Sequence, residues 1–401
     1  MQDPWEDWIP GVLNRDQMKD LCDRELLSLN AQFSPQLLDE SSIDLHLTSK
    51  AYKMCKGSVK PSGKVTYSYF LKQPALAEEI FPDQTGVFHL KSKDTYVFRL
   101  RERLGKPLQD LGFYGQATAK SSVGRVDVLA RLIVDGMDTY ECFAPKCFEV
   151  GGGDMYLEIT PITFDVMVRE GISLSQLRFF YGNPRNVEVD SAELFRAVYS
   201  GEGSKDGSLT VDISNTPVGG LQVAAFFATP AANDRPYPPI PLWTEEGNKY
   251  GSASPTSYWR LKAANDQSRL MIRSEEFYIL RSKERICVPP GIAVYCRASD
   301  ETIGEMRIHY AGFVHPWFGR RRASGKGTPL IFEVRGHQVN VSLADGERMA
   351  NLTFYRMSKD AVDPMPSPYE DQNLELSKFF QRWPSKLKYV KGPEDGSVTA
   401  A

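Results

Sequence analysis

The sequence predicts a mainly β protein made of two related units, each a barrel or jelly roll of short strands, with a few short helices between them. Three observations predict it. A segment of the chain recurs at a fixed offset, the recurring segments alternate apolar and polar residues with period two, and few stretches carry helical periodicity.

The repeat comes first. Leu157-Glu158-Ile159-Thr160 through Phe179-Phe180 aligns without a gap on Phe332-Glu333-Val334-Arg335 through Phe354-Tyr355, at an offset of 175 residues. Glu158 meets Glu333, Val166 meets Val341, Gly171 meets Gly346, Leu177 meets Leu352 and Phe179 meets Phe354. Apolar character is kept at Ile159/Val334, Val168/Leu343, Leu174/Met349 and Phe180/Tyr355. Upstream, Tyr96 to Leu104 resembles Tyr278 to Ile286, so both units are expected to run through their strands in the same order. The boundaries that follow are residues 1–184 for the first unit, 185–359 for the second with its connecting segment, and 360–401 for a tail.

Phe164-Asp165-Val166-Met167-Val168 and Val339-Asn340-Val341-Ser342-Leu343 alternate and are rich in β-branched residues, as half-buried strands are. Helical pattern is predicted near Arg15–Leu29, Ser191–Tyr199 and Asn373–Phe380. Gly201–Gly207 and Thr229–Pro241 are Gly- and Pro-rich loops, and the chain after Gly392 is expected to be disordered.

Composition narrows the function. With 401 residues, 41% of them hydrophobic, the chain can bury more than one core. A net charge of −3 gives no long-range pull toward nucleic acid polymers or anionic membranes, so an anionic ligand must be held by a local cluster. No apolar run approaches the roughly 18 residues of a membrane helix. The acidic start Met1-Gln2-Asp3-Pro4-Trp5-Glu6 lacks a signal-peptide pattern, and a soluble cytoplasmic protein is expected. Six scattered cysteines argue against a disulfide framework. Cys142 and Cys147 have no His or second cysteine pair at zinc spacing and are read as packing or loop residues.

Lys120-Ser121-Ser122-Val123-Gly124-Arg125 follows the strand-like Phe113–Thr118. Two hydroxyls, two cations and a glycine at a strand-to-helix junction suit a phosphate chain, because free N–H groups donate while Lys and Arg neutralise. A Ser cap on a short surface helix explains the same residues. The corresponding stretch of the second unit, Arg297 to Glu305, carries three carboxylates, which would repel phosphates. Beyond it, Arg307 to Pro316 places small residues among aromatics, suited either to a hairpin approaching a flat ring or to a tight core hairpin. Glu158 and Glu333 sit in apolar strand segments, where a carboxyl is either paired with a cation or raised in pKa and useful as acid and base.

With these residues assembled, the chain resembles the long, two-unit dCTP deaminases of bacteria. The resemblance is carried by Ala119–Val128, Tyr156–Ile159, Leu174–Phe179, Gly304–Phe313 and the tail Tyr369–Lys378, in that order. It implies a dUTPase-like (β-clip) fold and deamination of dCTP to dUTP and ammonia, with Mg²⁺ carried by the triphosphate and no catalytic zinc. It also implies sites lying between units. The first unit keeps the phosphate motif but has the irregular Val134–Asp138 in place of a base hairpin, whereas the second keeps hairpin and Glu. A composite site is therefore expected: Lys120, Ser121, Ser122 and Arg125 from the first unit, with Ala311, Phe313 and Glu333 from the second. Glu333 is then the proton shuttle, with Glu158 as its repeat-related alternative. His315 stands where relatives have an Asp that contacts the sugar, and the tail could close Tyr369 and Gln372 over the nucleotide. Trp317 interrupts the usual Pro-Gly turn, and Pro368 replaces a Lys or small polar residue before the tail Tyr.

The rivals are a dUTP pyrophosphatase or a bifunctional deaminase and pyrophosphatase on the same fold, and a non-catalytic nucleotide-binding regulator. A zinc deaminase lacks its ligand pattern. Sites between units favour a homo-oligomer, with a trimer as the first expectation.

Overall fold

In the computed structural model, the described residues are 5, 7–28, 38–151, 153–200, 203–229, 237–264, 268–298, 306–308, 312–320, 326–362, 369, 372–387, 389–391 and 397–400. The fold is mostly β, with one nearly closed barrel-like sheet, one curled half-barrel sheet and few helices. The first sheet contains β1 (Ile43–Met54), β2 (Tyr96–Leu104), β3 (Phe113–Ala119), β4 (Val128–Val134) and β5 (Asp154–Pro161). After β6 (Val166–Arg169), which joins a smaller three-stranded sheet, β7 (Ser173–Tyr181) completes it in the order β4-β5-β2-β1-β7-β3. The second sheet contains β8 (Ser208–Asp212), β9 (Phe277–Ile286), β10 (Ile292–Ala298), β11 (Met306–Ile308), β12 (Gly312–Val314) and β13 (Thr328–Gly336). β14 (Val341–Ala344) pairs with Arg269–Ile272, and β15 (Arg348–Arg356) returns to the large sheet.

Repeated segments pair in repeated ways. β5 runs antiparallel to β2 with Glu158 opposite Val97, and β13 runs antiparallel to β9 with Glu333 opposite Ile279. β7 pairs with β3, and β15 with β10, antiparallel in both cases. Gly171 and Gly346, one repeat apart, take φ of +80° and +81° in the turns that lead into β7 and β15, where a side chain would be strained. The two halves meet on equivalent faces: Phe180 of β7 and Tyr355 of β15 touch edge to face at 5.2 Å, flanked by buried Val12, Ala293 and Met357.

Three expectations need correction. Helix α1 covers Arg15–Asp23, not 15–29: Asn14 and Gln17 form a reciprocal capping box at its start, and Glu25 at φ +59° ends it. Leu27–Ser28 then pairs with Arg103–Leu104 of β2. Residues 373–380 form no helix, because the chain spends its side chains on tertiary contacts instead. Leu374, Leu376, Phe379 and Phe380 are buried in the first core beside Trp259 and Phe226, and Asn373 accepts from Arg281 at 2.5 Å. Within the stretch expected to be disordered, Ser397–Ala400 is a strand pairing with Leu261–Lys262. The expected helix near 191–199 is present as Ala192–Val198, capped by Ser191. Among the described residues no helix is long and apolar enough to cross a membrane.

Candidate active site

The phosphate-type motif lies where β3 gives way to a single helical turn, Ser121–Gly124. Lys120 has extended backbone and sends its ammonium to Asp44 of β1 at 2.5 Å. Ser121 is exposed, whereas Ser122 and Arg125 are buried. The Ser122 hydroxyl is 2.9 Å from the Tyr369 hydroxyl, and its carbonyl accepts from Ser377 at 2.7 Å. Arg125 is only 3% exposed, yet it is richly held. Its guanidinium lies 4.0 Å from the centre of the Tyr369 ring and donates to the Gln372 side chain at 2.6 Å and to the Glu375 carbonyl at 3.3 Å. Gln372 in turn donates to the carbonyl of Pro329 on β13, so the tail bridges the motif and the second half of the chain.

On β13 stands Glu333. Its carboxylate is 3.9 Å from Arg125 Nε, a nitrogen with no hydrogen-bond partner among the described residues. Burial pushes the Glu333 carboxyl up to about 7, with Arg125 pulling against that rise. The neighbouring Cys296 thiol is pushed up to about 12 by burial and by Glu333. Its repeat mate Glu158 has a different environment. Arg131, directly across on β4, donates to it through Nε at 3.1 Å and again through its terminal nitrogen, and Tyr140 donates at 3.2 Å. Arg131 also reaches Ser58 and lies over the Tyr140 ring. One glutamate is therefore saturated by cation and hydroxyl, while the other is desolvated beside the motif arginine.

Phe313 on β12 is buried against Arg178 of β7, whose guanidinium lies 3.9 Å from the ring centre. Arg178 also donates to the Val294 carbonyl at 3.0 Å. His315 lies 3.0 Å from the Ser41 hydroxyl through Nδ1 and 3.6 Å from Asp39 through Nε2, and burial lowers its pKa despite Asp39. Ala311 lies outside the described residues, as does the acidic stretch 299–305 that replaces the motif in the second half. Among the described residues, Asp39, Glu40 and His315 are the one set of three potential metal-ligating side chains whose ligand atoms come within 4.8 Å of one another.

Sequence reasoning missed the partners that decide these environments. Arg131 and Tyr140 carried no motif. Asp127 and Arg335, which form a buried ion pair beside the site, were visible only as one charge just past the motif and one inside an apolar strand.

Comparison with known proteins follows the same residues. The family model described as the 2'-deoxycytidine 5'-triphosphate deaminase (DCD) N-terminal domain matches residues 9–183, and that for the C-terminal domain matches residues 247–380. The crystal structure of 2'-deoxycytidine 5'-triphosphate deaminase from Agrobacterium tumefaciens is similar at a TM-score of 0.75 and 26% identity, over 88% of this chain and 99% of that one. An anti-sigma factor domain-containing protein from Clostridium clariflavum aligns over 84% of this chain and all of its own at 11% identity, but its TM-score of 0.13 gives it no weight. No curated protein sequence matches significantly. With both domain models matched in order along one chain, and a structural likeness spanning nearly all of a solved deaminase, the chain belongs to the 2'-deoxycytidine 5'-triphosphate deaminase family.

Proposed function

We propose that this dCTP deaminase works through one composite site per chain, with the phosphate motif supplied by the first half and the proton-transferring Glu333 by the second. The reading rests on the contrast between two repeat-related glutamates. Glu158 is held by Arg131 and Tyr140, whereas Glu333 is buried, raised to about 7 and beside Arg125. A carboxyl near neutrality can both accept and return a proton at the same pH.

In the reaction, the ionised Glu333 takes a proton from water as the water oxygen bonds to C4 of cytosine. Glu333 returns that proton to ring N3, then takes the remaining proton from the new C4 hydroxyl and delivers it to the exocyclic nitrogen. The C4–N bond breaks, ammonia leaves and C4 becomes the carbonyl of dUTP. Arg125, beside Glu333, favours the charged form that attack requires. Lys120, Ser121 and Ser122 hold the triphosphate, which arrives with its Mg²⁺ as part of the substrate. Backbone groups around Ala311 would orient the water and the exocyclic amine, Phe313 packs beside them, and His315 meets the sugar. Tyr369 and Gln372 close the motif from the tail.

The same reading takes the chain as a tandem pair of dUTPase-like units, residues 1–184 and 185–359, followed by a tail over 360–401. It assigns no zinc, and it has the protein acting in the cytoplasm on dCTP and dUTP as a homo-oligomer, a trimer first, without nucleic acid polymer or membrane. In the decisive experiment, purified protein is incubated with dCTP and Mg²⁺ and the nucleotide products are resolved. Glu333→Gln should lower turnover on the order of 10²–10⁴-fold, while Glu158→Gln retains it. The reverse pattern overturns the assignment. Release of dUMP in place of dUTP would instead establish the bifunctional alternative. Chelation followed by restored Mg²⁺ should leave the rate unchanged.

A further inference from the structure

Beside the site lies a second charged pair that crosses the same seam. Asp127, two residues after Arg125, has no exposed surface and is held at φ +58° by the turn that ends the motif. Its carboxylate accepts from Arg335 of β13 and from Thr163 at 2.5 Å. Arg335 also donates to Thr163 and, at 2.8 Å, to the Glu275 carbonyl. Arg335 is two residues from Glu333, so the two side chains share one face of the strand about 7 Å apart. Arg125 and Asp127 therefore face Glu333 and Arg335 as two crossed pairs, one loose at 3.9 Å and one in direct contact.

Ion pairs this deeply buried contribute little net stability, since desolvation offsets their attraction; what they do well is fix geometry. Here the loose pair needs that help. Among the described residues Arg125 Nε has no hydrogen-bond partner, so at 3.9 Å no hydrogen bond to Glu333 sets their separation. The direct pair, anchored to a carbonyl on one side and a threonine on the other, can set it.

We infer that Asp127 and Arg335 are positioning residues for the deamination, an ion pair that clamps the phosphate motif of the first half at working distance from Glu333 in the second. The inference rests on the composite-site reading. Breaking the clamp should move Arg125 relative to Glu333 and so slow the proton transfers, leaving the tail and motif contacts that hold the nucleotide in place.

The test uses the full chain with dCTP and saturating Mg²⁺. Asp127→Asn keeps the shape and removes the charge, and Asp127→Leu with Arg335→Met replaces the pair by apolar groups of similar size, which buried ion pairs tolerate. Each is expected to lower kcat at least tenfold while KM for dCTP changes less than threefold. Among the described residues, the charged and titratable groups facing Glu333 are Arg125 from the motif and Cys296 on β10, with Arg335 two residues along its own strand. Asp127→Asn leaves the Arg335 charge without its counter-ion, so the acidic limb of the kcat/KM profile should move to lower pH. The double variant removes both charges and should leave that limb in place. Arg335→Lys keeps the charge without the fork and should recover part of kcat. Thermal melts identify which variants are folded, and a folded one with wild-type kcat and pH limb overturns the inference. Were the first two to unfold, Arg335→Lys decides: wild-type kcat in that variant overturns the clamp. Retained turnover in Glu333→Gln would sink the composite site itself, whereas loss there with wild-type behaviour in Asp127→Asn sinks only the clamp.

Discussion

Glu333→Gln should make the protein more stable at alkaline pH while stopping it as an enzyme. Burial raises the Glu333 carboxyl from an ordinary 4.5 to about 7, against the pull of Arg125. At 1.36 kcal/mol per pH unit, ionising it in the folded chain costs about 3 kcal/mol more than in the unfolded one. The sign follows from proton counts. Between about 4.5 and 7 the folded state keeps the proton that the unfolded state has lost, so stability falls as pH rises through that window and stays low above it. Gln has the shape of the protonated acid and never ionises. At pH 8 the variant should therefore gain most of that amount, and below about pH 4.5 almost none. At about 2–4 °C per kcal/mol for a unit of this size, the gain is roughly 5–10 °C in melting temperature. Differential scanning fluorimetry of both proteins from pH 4.5 to 8.5 reads it directly. A difference that is absent at pH 8, or equal at both ends of the range, would refute the claim that Glu333 is desolvated and titrates near neutrality.

The same titration should appear in catalysis. With Glu333 acting as base in its ionised form, kcat/KM should rise with pH through about 7 and level off above it; a profile flat from pH 5.5 to 8 would contradict this. Arg125→Lys loses the planar fork that binds Gln372 and the Glu375 carbonyl and the flat face that stacks on Tyr369. It should lower kcat/KM at least on the order of 100-fold, and a folded variant within tenfold of wild type would show that the guanidinium geometry is dispensable. Glu158→Gln breaks the charged bonds to Arg131 and Tyr140, which should cost about 1–3 kcal/mol of stability. Its kcat should stay within twofold, and a loss beyond tenfold in folded protein would give Glu158 a chemical role.

Much of the architecture is legible in local pattern. The offset of 175 residues, the alternation around Val166 and Val341, and the turn glycines at 171 and 346 depend only on neighbours in the chain, and strands β6, β7, β14 and β15 follow from them. Helix ends were harder: the Asn14 cap could be read, but the stop at Glu25 reflects the pairing of Leu27–Ser28 with β2. Residues 373–380 show the limit of periodicity. Leu374, Leu376, Phe379 and Phe380 could serve a helix face equally well, and a core around Trp259 that lies far away in sequence draws them into irregular chain instead.

Order along the chain is enough to reveal the family, the β character, the placement of Ser122 and Arg125 at a strand end, and the presence of two repeat-related glutamates. How those glutamates differ emerges only from packing. Glu158 and Glu333 occupy the same place in the repeat and have like neighbours along the strand, so local pattern cannot separate them. What separates them comes from other strands. Arg131 and Tyr140 satisfy one, while burial, opposed by Arg125, raises the other toward neutrality. Charge environment is set by what packs across space, and no spacing along the chain encodes it.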